Sequence, residues 1–202
     1  LPMARIEPQV LPGCPEITLG LINADFPDAP LPPEVMHEVI ARPAYWAFCW
    51  GSGLALARFL LDEPARVENK AVLDLGSGSG VAAIAAALAG ARRVVACDND
   101  PHAIVATEVN ARVNGVAVEC FADLAEAGSG YALLLMADVL YDASNLSLLA
   151  EASAVAKDVL VADSRISSLP DLRYREIASL SALTFPNLGE FDEFGTVRLF
   201  QR

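Results

Sequence analysis

The chain has 202 residues, enough for one domain with a substantial core and too few for two. Hydrophobic residues make up 54% and mean hydropathy is +0.39, yet no apolar run reaches the roughly 18 to 20 residues of a membrane span, so no membrane partner is expected. The net charge is −12, from 14 basic and 26 acidic residues; that field repels phosphate backbones, argues against nucleic acid, and favours basic partners such as lysine-bearing protein surfaces.

Residues 1 to 35 carry eight prolines (Pro2, Pro8, Pro12, Pro15, Pro27, Pro30, Pro32, Pro33) and read as an extended arm with little regular structure. A helix is expected from Trp50 to Asp62, with Ser52 as N-cap and Pro64 as the stop. Strand-like and helical runs then alternate. Ala71–Leu75 reads as a strand, Val81–Leu88 as a helix closed by Gly90, and Val94–Cys97 as a second strand. Pro101–Val113 is a helix with Asp100 at its N-cap and Asn114-Gly115 at its end. Val116–Phe121 follows as a third strand, and the continuously apolar Tyr131–Ala137 as a fourth, covered on both faces. A helix near Ser144–Ala156 leads to a fifth strand, Val159–Ala162. Ile177–Phe185 and Thr196–Gln201 close the chain as an edge hairpin around a Pro-Asn-Leu-Gly turn at 186–189. Alternating βαβ units predict a doubly wound, mostly parallel sheet in one domain, 1–202, with 1–49 as arm and cover and 50–202 as core.

The chemistry concentrates where the first core strand meets its helix. "VLDLGSGSG" (72–80) places Asp74, Gly76, Gly78 and Gly80 at alternate positions, with Ser77 between the first two glycines. Missing side chains let a ligand reach the backbone, and the helix N-terminus offers N–H donors. A nicotinamide-dinucleotide fingerprint counted from Gly76 needs its third glycine at position 81, which is Val81. Asp74 suits a ligand with an ammonium group and repels a pyrophosphate. Asp98, 22 residues after Gly76 at a strand end, stands where carboxylates bind ribose hydroxyls. Asp123 accepts from an adenine amino group or starts a helix; both readings stay open. Asp138 and Tyr141, after the fourth strand, cap a turn and fill core, or else orient an amine and line its channel; both readings stay open here. Trp50, before Gly51-Ser52-Gly53, reads as a cofactor cover and Trp46 as core. Cys14, Cys49, Cys97 and Cys120 lack CxxC spacing and no charged-then-apolar leader is evident, so a cytoplasmic setting is expected. His37 and His102 are too few for a metal centre.

These residues resemble the class I S-adenosylmethionine-dependent methyltransferases, over residues 70 to 202. The resemblance implies a seven-stranded sheet in the order 3-2-1-4-5-7-6 with strand 7 antiparallel, and S-adenosylmethionine as cofactor. "PEITLGLI" (15–22), "YWAFCWGSGLALARFLLDEP" (45–64) and "ADVLY" (137–141) further resemble the electron-transfer flavoprotein β-subunit lysine methyltransferases. That likeness implies cofactor contacts at Trp50, Gly51, Asp74, Gly76, Ser77, Gly78, Gly80, Asp98, Asn99, Asp123 and Ala137. It implies acceptor contacts at Asp138 and Tyr141, a protein lysine as substrate, no metal and a monomer. After the fifth strand the family's Gly-Asp-Pro-Gly-Arg type sequence is replaced by "ADSRIS" (162–167), which keeps only Asp163 and Arg165. A small-molecule N-methyltransferase of nicotinamide type and a non-catalytic S-adenosylmethionine-binding module are the alternative readings.

Overall fold

The structure, a computed structural model, describes residues 3–26, 32–141, 143–187 and 195–202. Its centre is a seven-stranded sheet of β3 (Ala71–Leu75), β4 (Arg93–Cys97), β5 (Glu119–Phe121), β6 (Tyr131–Ala137), β7 (Ala156–Asp163), β8 (Arg175–Ser181) and β9 (Thr196–Gln201). The spatial order is β5-β4-β3-β6-β7-β9-β8, and β9 runs antiparallel to both its neighbours. This is the order 3-2-1-4-5-7-6 that the methyltransferase resemblance implies.

Strand periodicity divides the core into two layers. Val72, Val94, Leu133, Leu135 and Leu160 point to one face, while Leu73, Val95, Leu134, Met136 and Val161 point to the other. The first face is covered by α2 (Gly51–Asp62) and α3 (Val81–Leu88). Five alanines in α3 let these helices approach each other and the sheet closely. The opposite face takes α6 (Leu148–Val155), through Leu149 and Ala152, and the short α5 (Leu124–Ala127), through Ala127. Helix α4 (Pro101–Val113) starts at Asp100, whose side chain accepts from the His102 N–H at 2.8 Å, and ends before Asn114-Gly115.

The amino-terminal arm departs from expectation. β1 (Ile6–Leu11) and β2 (Cys14–Ile22) form an antiparallel hairpin turned at Pro12-Gly13, with Gly13 at φ 73. Ile17, Leu19 and Leu21 are fully buried in the first layer, so the hairpin is part of the core. Asn114 clamps it from α4, taking the Thr18 N–H at 2.9 Å and donating to the Thr18 carbonyl at 2.7 Å. Asn110 accepts the Gly20 N–H at 2.7 Å. A helix α1 (Pro33–Ala41) follows, with no buried residue; Pro2, Pro27 and Pro30 lie outside the described residues. Elsewhere the boundaries move. β5 is shorter than the expected Val116–Phe121, and the helix expected from Ser144 opens as a 3-10 turn (Ala143–Ser147) before α6. β7 begins earlier, at Ala156, and β8 ends at Ser181, leaving Phe185 to bridge to Cys49 instead. Residues 188 and 189 of the expected turn are outside the described part.

Candidate active site

The glycine turn joins β3 to α3 at the carboxyl ends of the parallel strands, and Gly76, Gly78 and Gly80 all have positive φ, at 76°, 53° and 83°. Their reasons differ. A Cβ on Gly76 would lie 2.6 Å from Val139 Cγ2, and one on Gly80 would lie 2.9 Å from Thr107 Cγ2. One on Gly78 meets no atom within 4 Å. Gly78 alone faces open space, so the room for a ligand is there.

The turn offers less donor capacity than its composition promises. The N–H groups of Gly76 and Ser77 donate to the Cys97 carbonyl, that of Gly80 to the Ser77 carbonyl, and that of Gly78 to Asp98 Oδ2 at 2.8 Å. The cradle is defined by shape and by the Asp98 carboxylate, whose Oδ1 takes the Asp100 N–H at 2.9 Å. Asp98 is partly buried, and desolvation raises its pKa against two backbone hydrogen bonds that lower it. The neighbouring Asn99 is exposed. Asp74 is buried and accepts the Ala83 N–H at 3.0 Å; burial lifts its pKa to about 7. It therefore braces the start of α3 from inside, away from the open space to which the spacing seemed to assign it. Ser77 is buried against Thr107, with hydroxyl oxygens 3.1 Å apart. Asp123, open to two readings, takes the second: it is exposed and caps α5 through the Ala125 N–H at 2.6 Å.

On the other side of β3, strand β6 ends at Ala137, paired with Ala162 of β7, and Asp138 then turns into the left-handed region at φ 52. A non-glycine residue there is strained by about 1 kcal/mol or more and persists because its surroundings hold it. The Asp138 N–H donates to the Ala162 carbonyl at 3.1 Å. Its carboxylate receives the Ser52 N–H at 3.1 Å and the Ser52 hydroxyl at 2.6 Å. Ser52 was expected as the N-cap of α2; Trp50 occupies that position, and the first turn of the helix is instead met by Asp138 from another strand. Burial raises the Asp138 pKa, the two Ser52 hydrogen bonds lower it, and the Asp163 charge raises it further.

Three aromatic rings on the segments that flank Ser52 and Asp138 stand close together. Tyr141 is 51% exposed and meets Tyr45 edge-on at 6.2 Å; Tyr45, 47% exposed, meets Trp50 edge-on at 5.6 Å and takes its indole N–H at the backbone carbonyl. Gly51 is buried, and a Cβ there would lie 3.0 Å from the Ala182 carbonyl oxygen. Trp46 was expected in the core. It is half-buried and stacks on the exposed His102 ring, because 45–47 forms a 3-10 turn, where positions four apart do not share an α-helical face. Tyr45 and the pairing of Ser52 with Asp138 were not legible in the sequence, since the partners are 86 residues apart. Among the described residues, no cluster of three or more potential ligands could hold a metal ion.

The model of one family, the ribosomal protein L11 methyltransferases (PrmA), matches residues 55–158. Among curated relatives, the chain is 46% identical over 101 residues to the electron transfer flavoprotein beta subunit lysine methyltransferase of Danio rerio, covering 48% of this chain and 39% of that one. The Homo sapiens protein of the same name is 53% identical over 70 residues, 35% of this chain and 27% of the other. The chain thus spans less than half the length of these relatives. A ribosomal protein L11 methylase from Lactobacillus delbrueckii superposes with a TM-score of 0.55 at 23% identity, over 73% of this chain and 76% of that one. A 16S rRNA methyltransferase of T. Thermophilus does so at 0.60 and 14% identity, over 98% and 50%. Likeness at this identity establishes the fold.

Proposed function

We propose, given that the chain belongs to the ribosomal protein L11 methyltransferase (PrmA) family, that it transfers a methyl group from S-adenosylmethionine to a lysine ε-amine of a protein. The two curated relatives named above carry a lysine methyltransferase name, which supports an acceptor of the electron transfer flavoprotein β-subunit type. The observation that carries the reading is Asp138. A strained, largely desolvated carboxylate is held by Ser52 at a strand end next to that of the Gly78 cradle. The rings of Trp50, two residues before Ser52, and of Tyr141, three residues after Asp138, both meet that of Tyr45.

Bound S-adenosylmethionine supplies an electrophilic methyl carbon on a sulfonium, whose C–S bond breaks as the C–N bond forms. The residues fit such a group: Gly78 leaves room at the backbone, and Asp98 presents a fixed carboxylate beside it where ribose hydroxyls can donate. Asp138 keeps unused lone pairs beyond those taken by Ser52, can accept from an ammonium, and can take the proton that the amine must lose. The ring faces of Tyr45 and Tyr141 suit a cation in transit. A net charge of −12 favours a basic protein acceptor over RNA. The same reading takes the chain to act as a monomer in a reducing compartment, where its four cysteines remain thiols.

The test is methylation of recombinant electron transfer flavoprotein β-subunit with labelled cofactor, read by mass spectrometry. Asp138→Asn should lower turnover by about a hundredfold, some 3 kcal/mol of positioning, while S-adenosylhomocysteine affinity moves far less. Parallel loss of affinity and activity would put Asp138 in the donor site. Labelling of small amines or RNA, with no protein labelled, would overturn the acceptor assignment.

A further inference from the structure

Strand β7 ends beside β6, and the Ala137–Ala162 pair brings the next residues of both strands, Asp138 and Asp163, to adjacent strand ends. Asp163 is 0% exposed. Its Oδ1 accepts two backbone N–H groups, from Arg165 at 2.7 Å and from Ile166 at 2.9 Å, and so shapes the turn after β7. Its Oδ2 is buried with no hydrogen-bond partner. The turn formed this way carries the Ser164 hydroxyl to 3.5 Å from Asp138 Oδ1, at the limit of a hydrogen bond.

An asparagine would make the same turn, because one amide oxygen accepts both N–H groups without a buried charge. The carboxylate therefore brings a desolvation cost, typically several kcal/mol for an isolated ion, that the turn does not require. Buried carboxylate oxygens without partners are uncommon in folded proteins, and where they persist the charge has a use outside the local hydrogen bonding. The charged groups within its electrostatic reach are Arg165, in the turn it shapes, and Asp138 at the neighbouring strand end.

We propose that Asp163 is a positioning residue of the acceptor site, whose negative charge keeps Asp138 basic enough to take a proton from the incoming amine, and whose turn delivers Ser164 to the same carboxylate. The part concerning the amine rests on the function proposed above; the coupling between the two carboxylates does not. The groups that act on Asp138 are Ser52 from α2, Asp163 from β7 and Arg165 from the turn, and the buried Cys49 thiol also feels its charge. Ser52 and Arg165 favour the ionised form, while burial and Asp163 oppose it.

The experiment is a carbon-13 NMR titration of the aspartate side-chain carboxyl groups in the full chain, without cofactor or acceptor, with Asp138→Asn used to assign the Asp138 signal. In Asp163→Asn the Asp138 midpoint should fall by about half a unit or more, with the thermal midpoint unchanged or raised because a buried charge is gone. Arg165→Gln should move the Asp138 midpoint the opposite way; Asp163→Ser, which keeps an acceptor for the turn without the charge, serves if Asp163→Asn does not fold. In the β-subunit assay, the acidic limb of the rate profile should follow the same shift while S-adenosylhomocysteine affinity stays constant. A midpoint unmoved in whichever Asp163 variant folds overturns the inference, even if the enzyme methylates the β-subunit. A shifted midpoint without methylation overturns the acceptor assignment and leaves the coupling standing.

Discussion

Single glycines in the turn separate into crowded and open positions by what a methyl group would touch. At Gly80 an added Cβ meets Thr107 at 2.9 Å with its backbone in the left-handed region, so Gly80→Ala should cost about 2 kcal/mol or more in stability. At Gly78 the same methyl group meets open space. Gly78→Ala should then cost only the left-handed penalty of about 1 kcal/mol. Gly78→Arg, by filling the cradle, should abolish binding of S-adenosylhomocysteine while the chain still unfolds cooperatively. Thermal melts paired with calorimetry check this contrast. Equal loss of binding in Gly78→Arg and Gly80→Ala, at equal stability, would deny Gly78 its special place. Asp98 also has a structural part, since its Oδ2 accepts the Gly78 N–H and its Oδ1 the Asp100 N–H.

At the scale of elements, α4 ties the hairpin to the cofactor turn. Asn110 accepts the Gly20 N–H and donates to the Ser79 carbonyl at 2.8 Å, bridging β2 and the glycine turn from a buried position. Asn110→Ala strands two groups and should cost about 2 to 4 kcal/mol, with a loss of S-adenosylhomocysteine affinity because Ser79 loses its tether. Asn114→Ala, which releases only the hairpin side and its own helix, should lower stability and leave affinity unchanged. Urea denaturation with calorimetry separates the two; affinity lost equally in both would mean that the tether is not specific. This connection was beyond reach in the sequence. The parallel sheet was legible because short, mostly apolar strands alternate with helical runs whose ends are marked by glycine, proline or the Asp100 cap. The hairpin was missed although Ile17, Leu19 and Leu21 alternate, because Pro8, Pro12 and Pro15 weighed more heavily. Pro8 is tolerated since β1 is an edge strand and Pro12 since it lies in the turn. Among the candidate residues, the approach of Asp98 to the Gly78 turn followed from local spacing. The engagement of Ser52 by Asp138 did not, because it depends on how α2 docks over β6.

For the whole molecule, the described carboxylates at the strand ends share one electrostatic situation. Asp74, Asp98, Asp138 and Asp163 all have raised pKa values with burial as the largest cause, and Asp74 reaches about 7 against a reference of 3.8. A raised carboxylate binds more protons folded than unfolded at any pH between the two values, so stability increases as pH falls through that window. For Asp74 alone, the interval from its folded value down to pH 5.5 contributes about 2 kcal/mol, at about 1.4 kcal/mol per unit. Asp171, held down to about 2 by Arg173, acts in the opposite sense, but only below its unfolded value near 4. The negative net charge also diminishes as acid is added, which relieves self-repulsion in the compact state. The urea midpoint of the cofactor-free chain should therefore rise between pH 8 and pH 5.5, a range kept above the isoelectric point of about 4.5. Asp74→Asn keeps an acceptor for the Ala83 N–H without the charge; it should be more stable than the parent at pH 8 and lose about 2 kcal/mol of that pH dependence. If the parent instead loses stability steadily from pH 8 to 5.5, these carboxylates are paired in solution with cations and the strand ends are less desolvated than the geometry implies.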